Sequence, residues 1–216
     1  MRRTVVVLLI VAGWSATAGA APLYDIAIDA HVRKTVLVIG DSNIERGANQ
    51  LVQALTDRPN AYISIITART GMGVRGYIST TNSADWWQIR LPQLLASVQP
   101  DVVVIELGAN DTSQPGTVTT PGYASYGQKI NWLRALLPEV PILWTNLPCS
   151  IEPLARRAGC SAVNWALALS PTVTMVNWGA AAMGHFEYMI PGQVHLTAAG
   201  YTAYSRVVAQ ALDAIP

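Results

Sequence analysis

Charge is scarce in this chain. Asp, Glu, Lys and Arg make up 12% of the 216 residues, and the formal net charge is +1. So few charges exclude a disordered chain and a nucleic-acid-binding one. Near-neutrality also gives no electrostatic reason to expect a polyanion or an anionic membrane as partner. Internal repeats, low-complexity tracts and linkers are absent. The N-terminal apolar run, Val5 to Trp14, is ten residues long, short of the ~20 that span a bilayer. Cysteine is limited to Cys149 and Cys160.

What is present is apolar. The hydrophobic fraction is 51%, enough for one domain with a sizeable core. Met1-Arg2-Arg3 precedes the N-terminal apolar run, and Ala18-Gly19-Ala20 has the small-x-small pattern of a signal peptidase site. Residues 1–20 therefore read as a cleaved secretory signal, with an uncleaved anchor as the alternative, and residues 21–216 as the domain. Cleavage would remove Arg2 and Arg3 and take the net charge from +1 to −1. No cysteine lies beside the cleavage site, which argues against a lipoprotein. In an exported chain, Cys149 and Cys160 are expected to form one structural disulfide; the alternative is two independent thiols.

Residues 22–34 form a lead-in without clear period. Strand-like and helix-like segments then alternate. Strands are expected at Thr35–Ile39, Tyr62–Thr67, Val102–Leu107, Ile142–Thr145 and Val173–Val176. Helices are expected at Ile44–Leu55, Trp86–Val98 with Pro92 in its first turn, and Tyr123–Leu137. Another covers Glu152–Leu169, broken near Gly159, and a last one is capped by Thr197. The strands are continuous apolar runs, as burial on both faces requires, so the pattern is a parallel α/β sheet covered by helices.

Three loops carry candidate chemistry. Gly40-Asp41-Ser42-Asn43 follows the first strand, Gly108-Ala109-Asn110-Asp111 follows the third, and His195 precedes the last helix. Loops after parallel strands share the carboxyl edge of the sheet, where such sheets bind ligands. Serine, base and oxyanion donor are the parts of an acyl-transfer site. No G-x-S-x-G surrounds Ser42, so this is not the α/β-hydrolase elbow. Gly71-Met72-Gly73-Val74-Arg75-Gly76 spells G-x-G-x-x-G, but no acidic residue follows in the position a dinucleotide fingerprint requires.

In these motifs and their order the chain resembles the SGNH (GDSL-type) hydrolase family, over nearly all of residues 21–216. The resemblance implies a three-layer α/β/α sandwich with a five-stranded parallel sheet, flavodoxin-like in plan. It implies Ser42 as nucleophile and His195 as general base. It further implies an oxyanion hole from the Ser42 N–H, the N–H of Gly71 (or Gly73) and the Asn110 side chain. No cofactor or metal is implied. The expected activity is carboxylic ester hydrolysis by an exported monomer acting on a small-molecule, lipid or glycan ester. An O-acyltransferase acting on sugar hydroxyls and a silent glycan- or lipid-binding relative are the rivals.

One position departs from the family. An Asp usually stands three residues before the histidine; here that residue is Gly192, and no carboxylate lies between Glu187 and His195. Three arrangements are open: a backbone carbonyl of residues 190–193 orients the imidazole, Glu187 folds back to it, or the protein is a weak or inactive relative. Asp41 and Asp111 are expected to bond local backbone instead. Among the remaining polar residues, His185 and His31 read as loop histidines rather than ligands. Arg69 and Arg75 read as solvated, and Trp86-Trp87 as a pair split between core and surface. Residues 113–123 are expected to border the site. The signal reading has a direct check: intact-mass analysis of exported protein should place the N-terminus near Ala21, and a start at Met1 would contradict it.

Overall fold

The computed structural model describes residues 6–10, 25–29, 34–58, 62–74, 76–77, 86–113, 122–153 and 156–215. The central strand is β3 (Lys34–Gly40), preceded by β1 (Val6–Ile10) and β2 (Asp25–Asp29). Strands β4 (Tyr62–Ala68), β7 (Val102–Glu106), β8 (Ile142–Thr145) and β9 (Thr174–Val176) complete the main sheet. Between them, β5 (Met72–Gly73) and β6 (Gly76–Tyr77) form a separate hairpin. The main sheet has the order β1-β2-β4-β3-β7-β8-β9. Its five strands from β4 to β9 are parallel, as the apolar runs indicate. At one edge β2 pairs antiparallel with β4, and β1 with β2.

Helices cover both faces. On one side lie α1 (Ser42–Thr56), the short α5 (Trp178–Ala181) and α6 (Ala198–Asp213). On the other lie α2 (Trp86–Leu95), α3 (Gly122–Arg134) and α4 (Arg157–Ala168). Strand side chains alternate between these two cores. Val36, Val38 and Val104 enter the first; Leu37, Ile39, Val103 and Ile105 enter the second. Each fully buried branched side chain contributes about 1.5–3 kcal/mol of transfer free energy. This two-sided burial makes the strand runs continuous rather than alternating. Among the described residues no helix is long and apolar enough to cross a membrane.

The chain leaves β3 toward β4 on one side and returns to β7 on the other, so the order reverses between β3 and β7. A crevice opens at such a switch point, at the carboxyl ends of the strands. Ser42 and Asn110 follow these two strands. The end of β7 is pinned by two donors: Tyr126 Oη and Trp144 Nε1 both reach the Leu107 carbonyl, at 3.1 and 3.0 Å.

Several local expectations are corrected. Pro92 is inside α2 rather than in its first turn. It lies on the exposed face, as does Gln88, whose carbonyl loses its helical donor to the proline and is open to hydration there. Gly159 does not break its helix; it is buried in α4, where an added Cβ would stand 2.8 Å from the Thr112 carbonyl. The lead-in contains β2, and β1 falls within the segment read as a signal. Residues 31, 75 and 114–121 lie outside the described residues, and with them the expectations for His31, Arg75 and most of the 113–123 loop.

Cys149 and Cys160 are bonded, with Cα atoms 5.6 Å apart. The bridge ties the loop after β8 to α4. Closing so short a loop stabilises by about 3 kcal/mol through the unfolded chain. Replacing both cysteines by serine should lower the melting temperature by roughly 6–12 °C. An unchanged melting temperature would show that the bond is not made in solution.

Candidate active site

Ser42 owes its place to an abrupt strand-to-helix junction. A Cβ on Gly40 would lie 2.3 Å from Ile44 Cγ1, so only glycine lets α1 start directly after β3. Asp41 caps the helix, its Oδ1 accepting from Asn43 N at 2.8 Å. Ser42 thus sits in the first turn, at the positive end of the helix dipole. It is 3% exposed, and its Oγ lies 3.0 Å from His195 Nε2. The structure therefore brings the expected nucleophile and base into hydrogen-bond contact across 153 residues.

His195 is held from both flanks by the residue next to Ser42. Asn43 Nδ2 donates to Val194 O at 3.2 Å, and Leu196 N donates to Asn43 Oδ1 at 3.4 Å. The loop is closed further by Ile190 N to His195 O at 2.9 Å, and Thr197 caps α6. The imidazole partner is neither a backbone carbonyl nor Glu187. Nδ1 meets Gln193 Oε1 at 3.2 Å. An amide oxygen only accepts, so this contact keeps the proton on Nδ1 and leaves the Nε2 lone pair facing Ser42. Glu187 is exposed and binds His185 at 2.8 Å instead, which lowers its own pKa. His185 also stacks on Tyr188, a surface role consistent with a loop histidine. Gly192 has φ +73°, the left-handed region, so the family's Asp would be strained there.

The oxyanion side is assembled around the turn after β4. Gly71 has φ +78° and is partly exposed; Gly73 is buried, and its carbonyl accepts from Trp87 Nε1 at 3.0 Å. Trp87 is buried and Trp86 half-buried, the split expected of the pair. Glu45 of α1 ties down the turn through Oε2, which accepts from both Thr70 N and Thr70 Oγ1 at 2.7 Å. Asn110 Nδ2 donates to Asp41 Oδ2 and to Met72 O, each at 2.9 Å. The three segments that begin with Asp41, Gly71 and Asn110 are thereby joined. Asp111 bonds outside its own loop. It accepts from Val74 N at 3.0 Å and pairs with Lys129 at 2.9 Å.

Electrostatics divide the site. Below Ser42 lie buried acids: burial pushes Asp41 up to about 6, Glu152 up to about 7, and Glu106 well above the carboxylate range. Around His195 lie cations. Burial first, then Arg46 and Arg156, hold its pKa below the ordinary histidine value. A base kept neutral in this way is ready to accept the serine proton.

The family model for GDSL-like lipases and acylhydrolases matches residues 38–203. The chain belongs to the GDSL-like lipase/acylhydrolase family. Solved structures agree at the level of fold. The inhibitor-bound aryl esterase of Mycobacterium smegmatis is 14% identical, with TM-score 0.63 over 85% of this chain and 100% of its own. A carbohydrate acetylesterase family member from Sinorhizobium meliloti is 19% identical, with TM-score 0.62 over 83% and 97%. The catalytic domain of the peptidoglycan O-acetyltransferase OatA from Streptococcus pneumoniae is 21% identical, with TM-score 0.58 over 84% and 94%. No curated protein sequence is significantly similar to the chain.

Four residues at this GDSL-family site were not read from the sequence: Asn43, Glu45, Glu106 and Gln193. Asn43 and Glu45 carried a signal, since they stand beside Ser42 and in the first turn of its helix. Gln193 carries no charge, so the family pattern of a carboxylate before the histidine does not single it out. Its role has a clear test. Gln193→Glu should stabilise the imidazolium and move the acid limb of the pH–rate profile up by roughly one pH unit. Gln193→Ala should lower kcat without that rise. An unmoved limb in both variants would show that Gln193 does not touch the working imidazole.

Proposed function

We propose that this GDSL-family chain is an exported serine ester hydrolase working through a Ser42–His195 dyad. The observation that carries this is the 3.0 Å contact between Ser42 Oγ and His195 Nε2, with the opposite ring nitrogen held by Gln193. Ser42 Oγ attacks the ester carbonyl carbon as its proton passes to Nε2. The imidazolium returns that proton to the departing alkoxide, leaving an acyl group on Ser42. Water then gives a proton to Nε2 and attacks the acyl carbon; the acid leaves and Ser42 is reprotonated. A neutral amide stabilises the imidazolium less than a carboxylate does, so turnover should be modest.

The oxyanion donors in this reading are Ser42 N–H, Gly71 N–H and Asn110. Gly71 is preferred over Gly73 because it is the more exposed and its left-handed turn leads the segment beside Asn110. Both N–H bonds of the Asn110 amide have acceptors, so its part requires the Met72 contact to be exchanged for the oxyanion. One such donor is worth about 3–4 kcal/mol in the transition state.

Export is supported by the N-terminal apolar segment and by the disulfide, which persists in oxidising compartments. The proteins of similar fold named as a carbohydrate acetylesterase and a peptidoglycan O-acetyltransferase support small acyl groups on glycans as the substrate class to assay first. A sugar hydroxyl replacing water at the second step would make the same site an O-acyltransferase. Ser42→Ala should cut hydrolysis of a short-chain chromogenic ester by roughly 10⁴–10⁶-fold without lowering the melting temperature. A phosphonate probe should label Ser42. Label at another serine, with Ser42→Ala still active, would overturn the assignment.

A further inference from the structure

Glu106 is the last residue of β7, and the sheet register places it opposite Gly40, one residue before Asp41. It is 6% exposed. Its carboxyl lies against the Asp41 carboxyl and the Asn43 side chain, and it lines one small cavity with Asn43. Among the described residues no hydrogen-bond donor reaches the buried Glu106 Oε2. Glu106 therefore touches both residues that organise the site. Asp41 holds Asn110, and Asn43 holds the two flanks of His195.

Ionised carboxylates only accept hydrogen bonds. A bond between two of them exists only if one keeps its proton. The surroundings favour that proton. Asp41, Glu106, Asp111 and Glu152 approach this point from β3, β7 and the loops after β7 and β8. Among the described residues, ion pairs to these acids come from Lys129 of α3 and Arg156 before α4. Tyr126 of α3 and Tyr204 of α6 face the cluster as neutral hydroxyls, their pKa values raised by burial first and then by the acids. Those ion pairs fall on Asp111 and Glu152, so Asp41 and Glu106 face each other in a water-excluded site where protonation of one relieves the charge.

We propose that Glu106 is a positioning residue: a neutral carboxylic acid whose O–H donates to the Asp41 carboxylate and so braces the nucleophile, base and oxyanion segments from beneath. Asp41 then remains the anion that caps α1 and orients the Asn110 amide. Loss of the shared proton would set two anions against each other at the foot of the site and release Asn110 from its alignment. The catalytic part of this inference rests on the proposed Ser42 acyl chemistry; the proton itself does not.

The test uses the full chain and two variants. In Glu106→Gln the amide N–H replaces the acid O–H, so kcat and the rate of Ser42 phosphonylation should stay within about threefold of the parent. Glu106→Ala removes the donor and should lower kcat by roughly 10²-fold with a much smaller change in KM. The infrared difference between parent and Glu106→Gln at neutral pH should show the carbonyl stretch of a protonated carboxyl. That readout needs no activity, so it stands even if no ester is hydrolysed and Ser42 resists labelling. A Glu106→Gln protein that fails to fold, or that loses as much kcat as Glu106→Ala, would overturn the proposal by showing that the charge is needed. So would a difference spectrum without the protonated carbonyl, or full kcat in Glu106→Ala. If Glu106→Ala does not fold, the spectrum and the Glu106→Gln rates decide.

Discussion

The Asp41 carboxylate, fully buried between β3 and α1, accepts from the Asn43 N–H on one oxygen and from the Asn110 amide, 69 residues on, through the other. Most of the site depends on this bridge. It starts the helix whose first turn presents Ser42. It sets Asn43, which grips the chain on either side of His195. It also holds Asn110 against the turn at Met72. A buried carboxylate with these partners is expensive to desolvate, and the cost is offset only while every acceptor is used. Glycine at position 40 is the steric condition for the whole arrangement, because any side chain would push α1 off the strand.

The base is built on different terms. Gln193 stands where a carboxylate is usual in acyl-transfer triads, but two residues rather than three before the histidine. The left-handed backbone at Gly192 explains the shift, since it turns that position away from the geometry a side chain would adopt. An amide fixes the tautomer without adding charge. Burial first, then Arg46 and Arg156, make the imidazole a weaker base, neutral down to a lower pH. The site therefore gives up imidazolium stabilisation and keeps the base available over a wider acid range.

Much of this was legible in the sequence, for identifiable reasons. Continuous apolar runs placed the five parallel strands because two-sided burial leaves no alternation. Ser42, Asn110 and His195 could be assigned to one edge because each follows an element whose polarity is set by the parallel order. The disulfide was readable from two cysteines in an otherwise cysteine-free chain. What was not legible rests on contacts between distant segments. Asp111 reaches Val74, 37 residues back along the chain. Glu106 looks like the polar end of a strand until the register sets it against Asp41. Glu187 was a fair candidate by distance along the chain, and it was lost to a closer partner, His185. Pro92 was misplaced because a helix tolerates an internal proline when the orphaned carbonyl faces water.

The state of the His195 ring tests the account most directly. Nitrogen-15 NMR of the imidazole, assigned by comparison with a His195→Asn variant, reports which nitrogen carries the proton and where the ring titrates. The Ser42–His195 dyad requires a neutral ring at pH 7 with hydrogen on Nδ1, an unprotonated Nε2 facing Ser42, and a titration midpoint below about 6.5. Hydrogen on Nε2 in the neutral ring, or a midpoint well above that value, would contradict it.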